Sequence, residues 1–220
     1  MTTTMNFPQA RLQMVDQQVR TWEVLDPRVL DAMNAVARER FAPAEFQAIA
    51  YADAPIPLPG GQSMLAPKID GRILQALGLT LGDTVLEVGT GSGYLAACLA
   101  TLGARVTSLE LRPELVALAR ANLHRTGTTG VEVVEADATC YTPDRRYDAV
   151  VLTASLPSYD PHYETWLKPG GRLFVVVGES EPMTAELHTL TRDGAKTRRE
   201  LFETWMAPLD HARIPSHFSF

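Results

Sequence analysis

Residues 86–97 read LEVGTGSGYLAA: an apolar run carries a carboxylate at Glu87, glycines then occupy every second position from Gly89 to Gly93, and a helix-like segment follows. Glycines permit positive φ and remove side chains that would hold a ligand away. A phosphate site would avoid a negative charge at its entrance, whereas a ligand with a cationic end would be drawn to it. The GxGxG spacing also lacks the sixth-position glycine of the dinucleotide-binding turn.

The flanking sequence places this turn in an α/β fold. DTVLEVG (83–89), RVTSLEL (105–111), VEVVEAD (131–137), YDAVVLTA (147–154) and GRLFVVVG (171–178) are short runs rich in Val, Leu and Phe. Helical segments, YLAACLATLG (94–103) and RPELVALARANLHRTG (112–127), separate the first three. Strands alternating with helices predict a Rossmann-like, doubly wound, mostly parallel sheet. Asp193-Gly194 marks a hairpin, so two antiparallel strands complete a seven-stranded sheet. Before the core, residues 10–19 place Leu12, Val15 and Val19 at helical spacing. Asp26 reads as the N-cap of a second helix with Pro27 at its first position and Val29, Leu30, Met33 and Val36 as its stripe. Residues 43–51 add a short third helix, and KIDGRILQAL (68–77) a fourth through Ile69, Ile73, Leu74 and Leu77. Between them, residues 52–67 hold four prolines and two glycines and must be extended and irregular. The expected organisation is one domain over 1–220: a helical cover and active-site loop (about 8–70), a ligand-binding core (71–178) and a β tail (179–220).

Composition narrows the function. A net charge of −6 argues against a general nucleic-acid grip, and the short AKTRRE run (195–200) reads as a solvated face. No stretch approaches 18 uninterrupted apolar residues, and the N-terminus lacks a basic start followed by an apolar run, so a cytoplasmic protein with no membrane partner is expected. Cys98 and Cys140 are far apart in segments that read as core, which favours buried free thiols. The five histidines show no metal-ligating spacing, so no metal is expected. Ser92 is not in a GxSxG elbow, which argues against a hydrolase. PIPLP (55–59) reads as a rigid loop rather than a partner motif.

In such a sheet, ligands sit beyond the carboxyl ends of the strands. Glu110 ends the second strand about 20 residues after the turn, where an acidic side chain accepts hydrogen bonds from ribose hydroxyls. Asp137 ends the third, beside where an adenine would lie. With Glu87, these carboxylates suit S-adenosylmethionine, which has an ammonium group, a sulfonium and no phosphate. NAD is the weaker reading.

VLEVGTGSGY (85–94), VTSLEL (106–111), YDAVVLTASLP (147–157) and LKPGGRLFVVVG (167–178) resemble the motifs of class I S-adenosylmethionine-dependent methyltransferases. MVDQQVR (14–20), DPRVLDAM (26–33), RERFAP (38–43), AYADAPIPLPGGQS (50–63) and FETWMAPL (202–209) narrow the resemblance to the protein-L-isoaspartate (D-aspartate) O-methyltransferase family, over about residues 11–209. The resemblance implies methylation of the abnormal α-carboxylate of isoaspartyl residues in damaged peptides or proteins. It implies that Glu87, Gly89, Thr90, Gly91 and Ser92 line the methionine end of the cofactor, Glu110 and Leu111 the ribose, and Asp137 and Ala138 the adenine. One departure stands out. Where the family has its active-site serine, this chain has Leu65, and Ser63 replaces a threonine. Leucine donates no hydrogen bond, so Ser63 is the candidate catalytic hydroxyl, with backbone N–H groups as the other source. A methyltransferase with another carboxylate or hydroxyl acceptor, or a weakly active or non-catalytic binder of the cofactor, are the alternatives. Lys68 reads first as a solvated side chain, and second as a group that attracts a carboxylate.

Overall fold

The computed structural model describes residues 5–213. The chain opens with α1 (Phe7–Met14), whose N-cap Asn6 accepts from the Gln9 N–H, and continues through a π turn (Val15–Val19) and a 3₁₀ turn (Arg20–Trp22). Its buried stripe is Met14, Val15 and Val19; Leu12 lies outside it and is exposed, a correction to the expected face. The next helix, α2 (Pro27–Ala35), is as expected: Asp26 accepts from the Arg28 N–H and Pro27 occupies the first position. Residues 43–51 form a 3₁₀ segment (Ala44–Ile49) rather than an α-helix.

The proline-rich loop folds into a small antiparallel ribbon, β1 (Ile56–Pro57) against β2 (Ser63–Met64), closed by a turn through Gly60 and Gly61. The next helix, α3 (Pro67–Leu77), ends at Gly78 in the left-handed region. Then come β3 (Thr84–Val88), α4 (Tyr94–Thr101), β4 (Arg105–Glu110), α5 (Pro113–Thr126), β5 (Val131–Glu135), β6 (Tyr147–Leu156), β7 (Leu167–Val177), β8 (Met183–Leu190) and β9 (Lys196–Thr204).

One sheet holds seven of these strands in the order β5-β4-β3-β6-β7-β8-β9. Pairing is parallel from β5 to β7 and antiparallel from β7 to β9. The hairpin turn falls at Asp193-Gly194 as expected, with Gly194 at φ 88°. Cover and sheet share one apolar cluster, in which Met33 and Phe41 join Ile73, Leu99 and Phe174. The sheet reverses its winding between β3 and β6, so a crevice opens where their carboxyl ends diverge. No described helix is long and apolar enough to cross a membrane. Cys98 is buried, but Cys140 is exposed, because β5 ends at Glu135 and the chain has already left the sheet.

Candidate active site

The glycine turn leaves β3 at the crevice with Gly89 at φ 92°, Gly91 at φ 54° and Gly93 at φ 86°. At Gly89 the requirement is also steric: a Cβ would sit 2.3 Å from Thr153 Oγ1 on β6. Thr153 is packed there because its hydroxyl faces the Val88 and Gly89 carbonyls, 2.9 Å from each. From the other side, β4 holds the turn. The Leu109 carbonyl accepts from the Gly89 and Thr90 N–H groups, and Glu110 Oε2 accepts from Gly91 N–H at 2.9 Å. Glu110 Oε1 accepts from Arg112 N–H at 3.0 Å, so the carboxylate is fixed at both oxygens.

Beyond these strand ends lies a cleft of about 420 Å³. It brings together Ser63, Gly89, Gly91, Glu110, Leu111, Asp137 and Ala138 among the residues expected from the sequence. Glu87, Thr90 and Ser92 do not face it. They are buried behind the turn around a second cavity of about 50 Å³, which shares Ser63, Leu65, Gly89, Gly91 and Thr153 with the cleft. There Ser108 bridges Thr90 Oγ1, at 2.6 Å, and the Glu87 carboxyl, to which it donates.

Sequence reasoning missed the far wall. Residues 203–210, the end of β9 and the segment after it, close the cleft and include Trp205, which is half exposed. Arg112 ties that segment down through Asp210 at 2.6 Å, and His211 Nδ1 lies 2.6 Å from Asp137 Oδ2. The FETWMAPL resemblance was the only signal there, since a strand leaving a sheet edge has no periodicity that says where it goes next. Lys68 also lines the cleft, contrary to the solvated reading.

The electrostatics correct one expectation. Glu87 is fully buried, and that burial pushes its carboxyl up to about 8. The Ser108 hydrogen bond opposes the rise, while Asp70 and Glu110 add to it. In the free protein Glu87 is therefore mostly neutral at pH 7, and not the standing negative charge inferred from the sequence. Its Oε1 is buried with no hydrogen-bond partner among the described residues. Asp137 behaves oppositely: burial works to raise it, but hydrogen bonds from Thr139 and His211 prevail and hold it below the usual carboxylate range.

A profile of the protein-L-isoaspartate(D-aspartate) O-methyltransferase (PCMT) family matches residues 9–212. The chain belongs to that family. Among its PCMT relatives, the protein-L-isoaspartate O-methyltransferase of Methanoculleus marisnigri is 43% identical over 172 residues, covering 78% of each chain. That of Methanoregula boonei is 39% identical over 204 residues, covering 92% of this chain and 93% of its own. The fold is also that of a protein-L-isoaspartate O-methyltransferase from Plasmodium falciparum crystallised with S-adenosyl-L-homocysteine: TM-score 0.78, 19% identity, 91% of this chain and 98% of that one.

If Glu110 binds the donor's ribose as expected from the sequence, Glu110→Ala should weaken donor binding about 100-fold, since the substitution also releases the clamp on Gly91. Titration calorimetry measures it. Unchanged affinity would remove Glu110 from the site.

Proposed function

We propose that this chain is an S-adenosylmethionine-dependent O-methyltransferase that methylates the abnormal α-carboxylate of L-isoaspartyl or D-aspartyl residues in damaged proteins, the step that starts their repair. The observation that carries the reading is continuity: one cleft joins Glu110, at the end of β4, and Asp137, just after β5, to Ser63 on β2 and Lys68 in the first turn of α3.

The lining fits the donor. Glu110 and Asp137 present acceptors for a ribose and an exocyclic amine, and Ala138 leaves room for a flat base. Behind the turn, in the small cavity that shares Gly89 and Gly91 with the cleft, Glu87 has an unpartnered buried oxygen that is an acceptor for an ammonium group. When bound, S-adenosylmethionine supplies an electrophilic methyl group on a sulfonium.

The chain's own residues then have little proton chemistry to do. A carboxylate acceptor with a pKa of about 4 is already ionised at neutral pH, so no general base is needed. Among the described residues, the cleft lining contains no histidine. What the protein contributes is orientation and dryness, which together can supply on the order of 7–11 kcal/mol. Gln62, Ser63, Leu65 and Ala66 on one segment and residues 203–210 on another both line the cleft and are suited to excluding water. Ser63 is the hydroxyl of the acceptor end, and Leu65 beside it is an apolar wall. Both cysteines are free, which supports a reducing cytoplasmic setting.

The test is methyl transfer from labelled donor to an isoaspartyl peptide, with the normal aspartyl peptide as control. Base-labile label is expected in the isoaspartyl peptide only, and Leu65→Ser should leave the rate close to wild type. Label in neither peptide defeats the proposed acceptor; a large gain from Leu65→Ser defeats the role given to Ser63.

A further inference from the structure

A cation, Lys68, stands at the acceptor end of the cleft. Lys68 and Arg112 are the two cations among the described residues that line the cleft. Arg112 is committed to Asp210 at the adenosine end. Lys68 stands at the other end, beside Ser63 and Leu65, with its side chain only 23% exposed. Its Nζ lies 2.8 Å from Asp53 Oδ2 and 4.5 Å from the centroid of the Trp22 ring. An ammonium group has three donors, and one bond to a half-exposed aspartate leaves it capacity for another anion.

Locally, Lys68 is held by the Asp53 carboxylate and the Trp22 ring, against the preference of its own helix. Lys68 is the second residue of α3, where the positive end of the helix dipole disfavours a cation. Asp70, in the same turn, does not compensate, because it is buried and paired with Arg38 at 2.7 Å. Violations of a local rule concentrate at functional sites, and this one lines the cleft.

We propose that Lys68 is the carboxylate-selecting residue of the acceptor site: its ammonium turns from Asp53 to the substrate's α-carboxylate and holds one oxygen while leaving the other free to accept the methyl group. The inference rests on the proposed function and deepens it. Leu65 cannot bind an anion and Ser63 supplies one neutral hydroxyl, so Lys68 provides the charge recognition that the loop otherwise lacks. It also gives release a direction. The product is a neutral ester, so the ion pair is lost on methylation and Lys68 returns to Asp53.

The experiment compares wild type, Lys68→Met and Lys68→Arg on two peptides differing only at the isoaspartyl α-position. The carboxylate peptide is the substrate, giving KM and kcat; the carboxamide is a competitive inhibitor, giving Ki. Methionine keeps the apolar stem against Trp22 while removing the charge. Lys68→Met should raise KM about tenfold, the equivalent of one charge-assisted contact in a partly exposed site. The carboxamide Ki and the donor Kd should stay within about twofold, since neither depends on an anion at Lys68. Lys68→Arg should recover most of the KM. An unchanged KM in Lys68→Met, or KM and Ki rising together, would make Lys68 a packing residue and overturn the inference while the proposed function stands. If wild type methylates no isoaspartyl peptide, the proposed function fails and takes this inference with it.

Discussion

Replacing Arg38 with methionine is expected to lower the unfolding free energy at pH 7 by about 3–5 kcal/mol, the usual cost of removing one partner from a buried ion pair. Arg38 is fully buried although it is charged. Nη1 donates to Asp70 Oδ2 at 2.7 Å, Nε donates to the Ala50 carbonyl at 2.9 Å, and Nη2 donates to the Leu65 carbonyl. Its guanidinium lies over the Tyr94 ring, 4.6 Å from the centroid. Methionine fills much of the volume but leaves the Asp70 carboxylate and two carbonyls without donors.

Burial already raises Asp70 to about 6 even with Arg38 pulling it down. Because the folded value lies above the unfolded 3.8, the stability Asp70 contributes is complete below pH 3.8 and lost as pH rises through 6. Without Arg38 the carboxyl should rise further, so the deficit of the variant should be larger at pH 7–8 than at pH 5. Urea denaturation at both values measures this, and Arg38→Met/Asp70→Leu should recover at least about 1 kcal/mol of the loss at pH 7. A deficit that ignores pH, or a double variant no better than the single, would show that the pair is not what matters. Arg38 also holds the carbonyl of Leu65, so the acceptor loop should loosen and KM rise with the stability loss.

The Arg38 pair also shows where the sequence stops being readable. The strands were legible because each is a short Val- and Leu-rich run with polar punctuation, and the strand ends could be counted to Glu110 and Asp137. Parallel register then lines up the carboxyl ends, Val88 with Leu109 and Glu110 with Glu135, so the acidic residues had to share one rim. Arg38 and Asp70 are 32 positions apart, one in a short turn and one on a helix, and their meeting is a tertiary event with no local pattern. The same holds for the 203–210 wall, and for His211 against Asp137. Thr90 and Ser92 lie in the expected turn but line the small cavity behind it rather than the cleft: Thr90 Oγ1 meets the Ser108 hydroxyl, and the Ser92 carbonyl accepts from Asn122 Nδ2. Cys140 was misread because the apolar character of 131–138 was extended past the end of the strand. Leu65 and Ser63 were legible as a departure from the family, but the cation beside them needed a position in space before it acquired a meaning.

The free protein is expected to lose stability steadily as the pH rises through the neutral range, and Glu87→Gln should remove most of that slope. Glu87 titrates near 4.5 when unfolded and at about 8 when folded, with burial as the main cause. The folded state therefore holds a proton that the unfolded state has released across that interval. The stability due to Glu87 is complete below pH 4.5 and is lost as pH rises through 8, by about 1.4 kcal/mol per unit and on the order of 4–5 kcal/mol in all. Asp70 adds to the slope only below about 6, so Glu87 governs it from there to 8. Glutamine keeps an oxygen for the Ser108 hydroxyl and has no charge to expose, so the variant should become the more stable protein above pH 8. Thermal melts at pH 6, 7, 8 and 9 measure both curves; parallel curves would mean that Glu87 is ionised throughout. The same proton couples to ligand binding. A donor whose ammonium reaches Oε1 favours ionised Glu87, so its affinity should rise with pH up to about 8 and level off above. Calorimetry in buffers of different ionisation enthalpy should register proton release at pH 7 in wild type and none in Glu87→Gln. Binding without proton release in wild type would separate Glu87 from the cationic end of the donor, and the small cavity behind the glycine turn would then be structural.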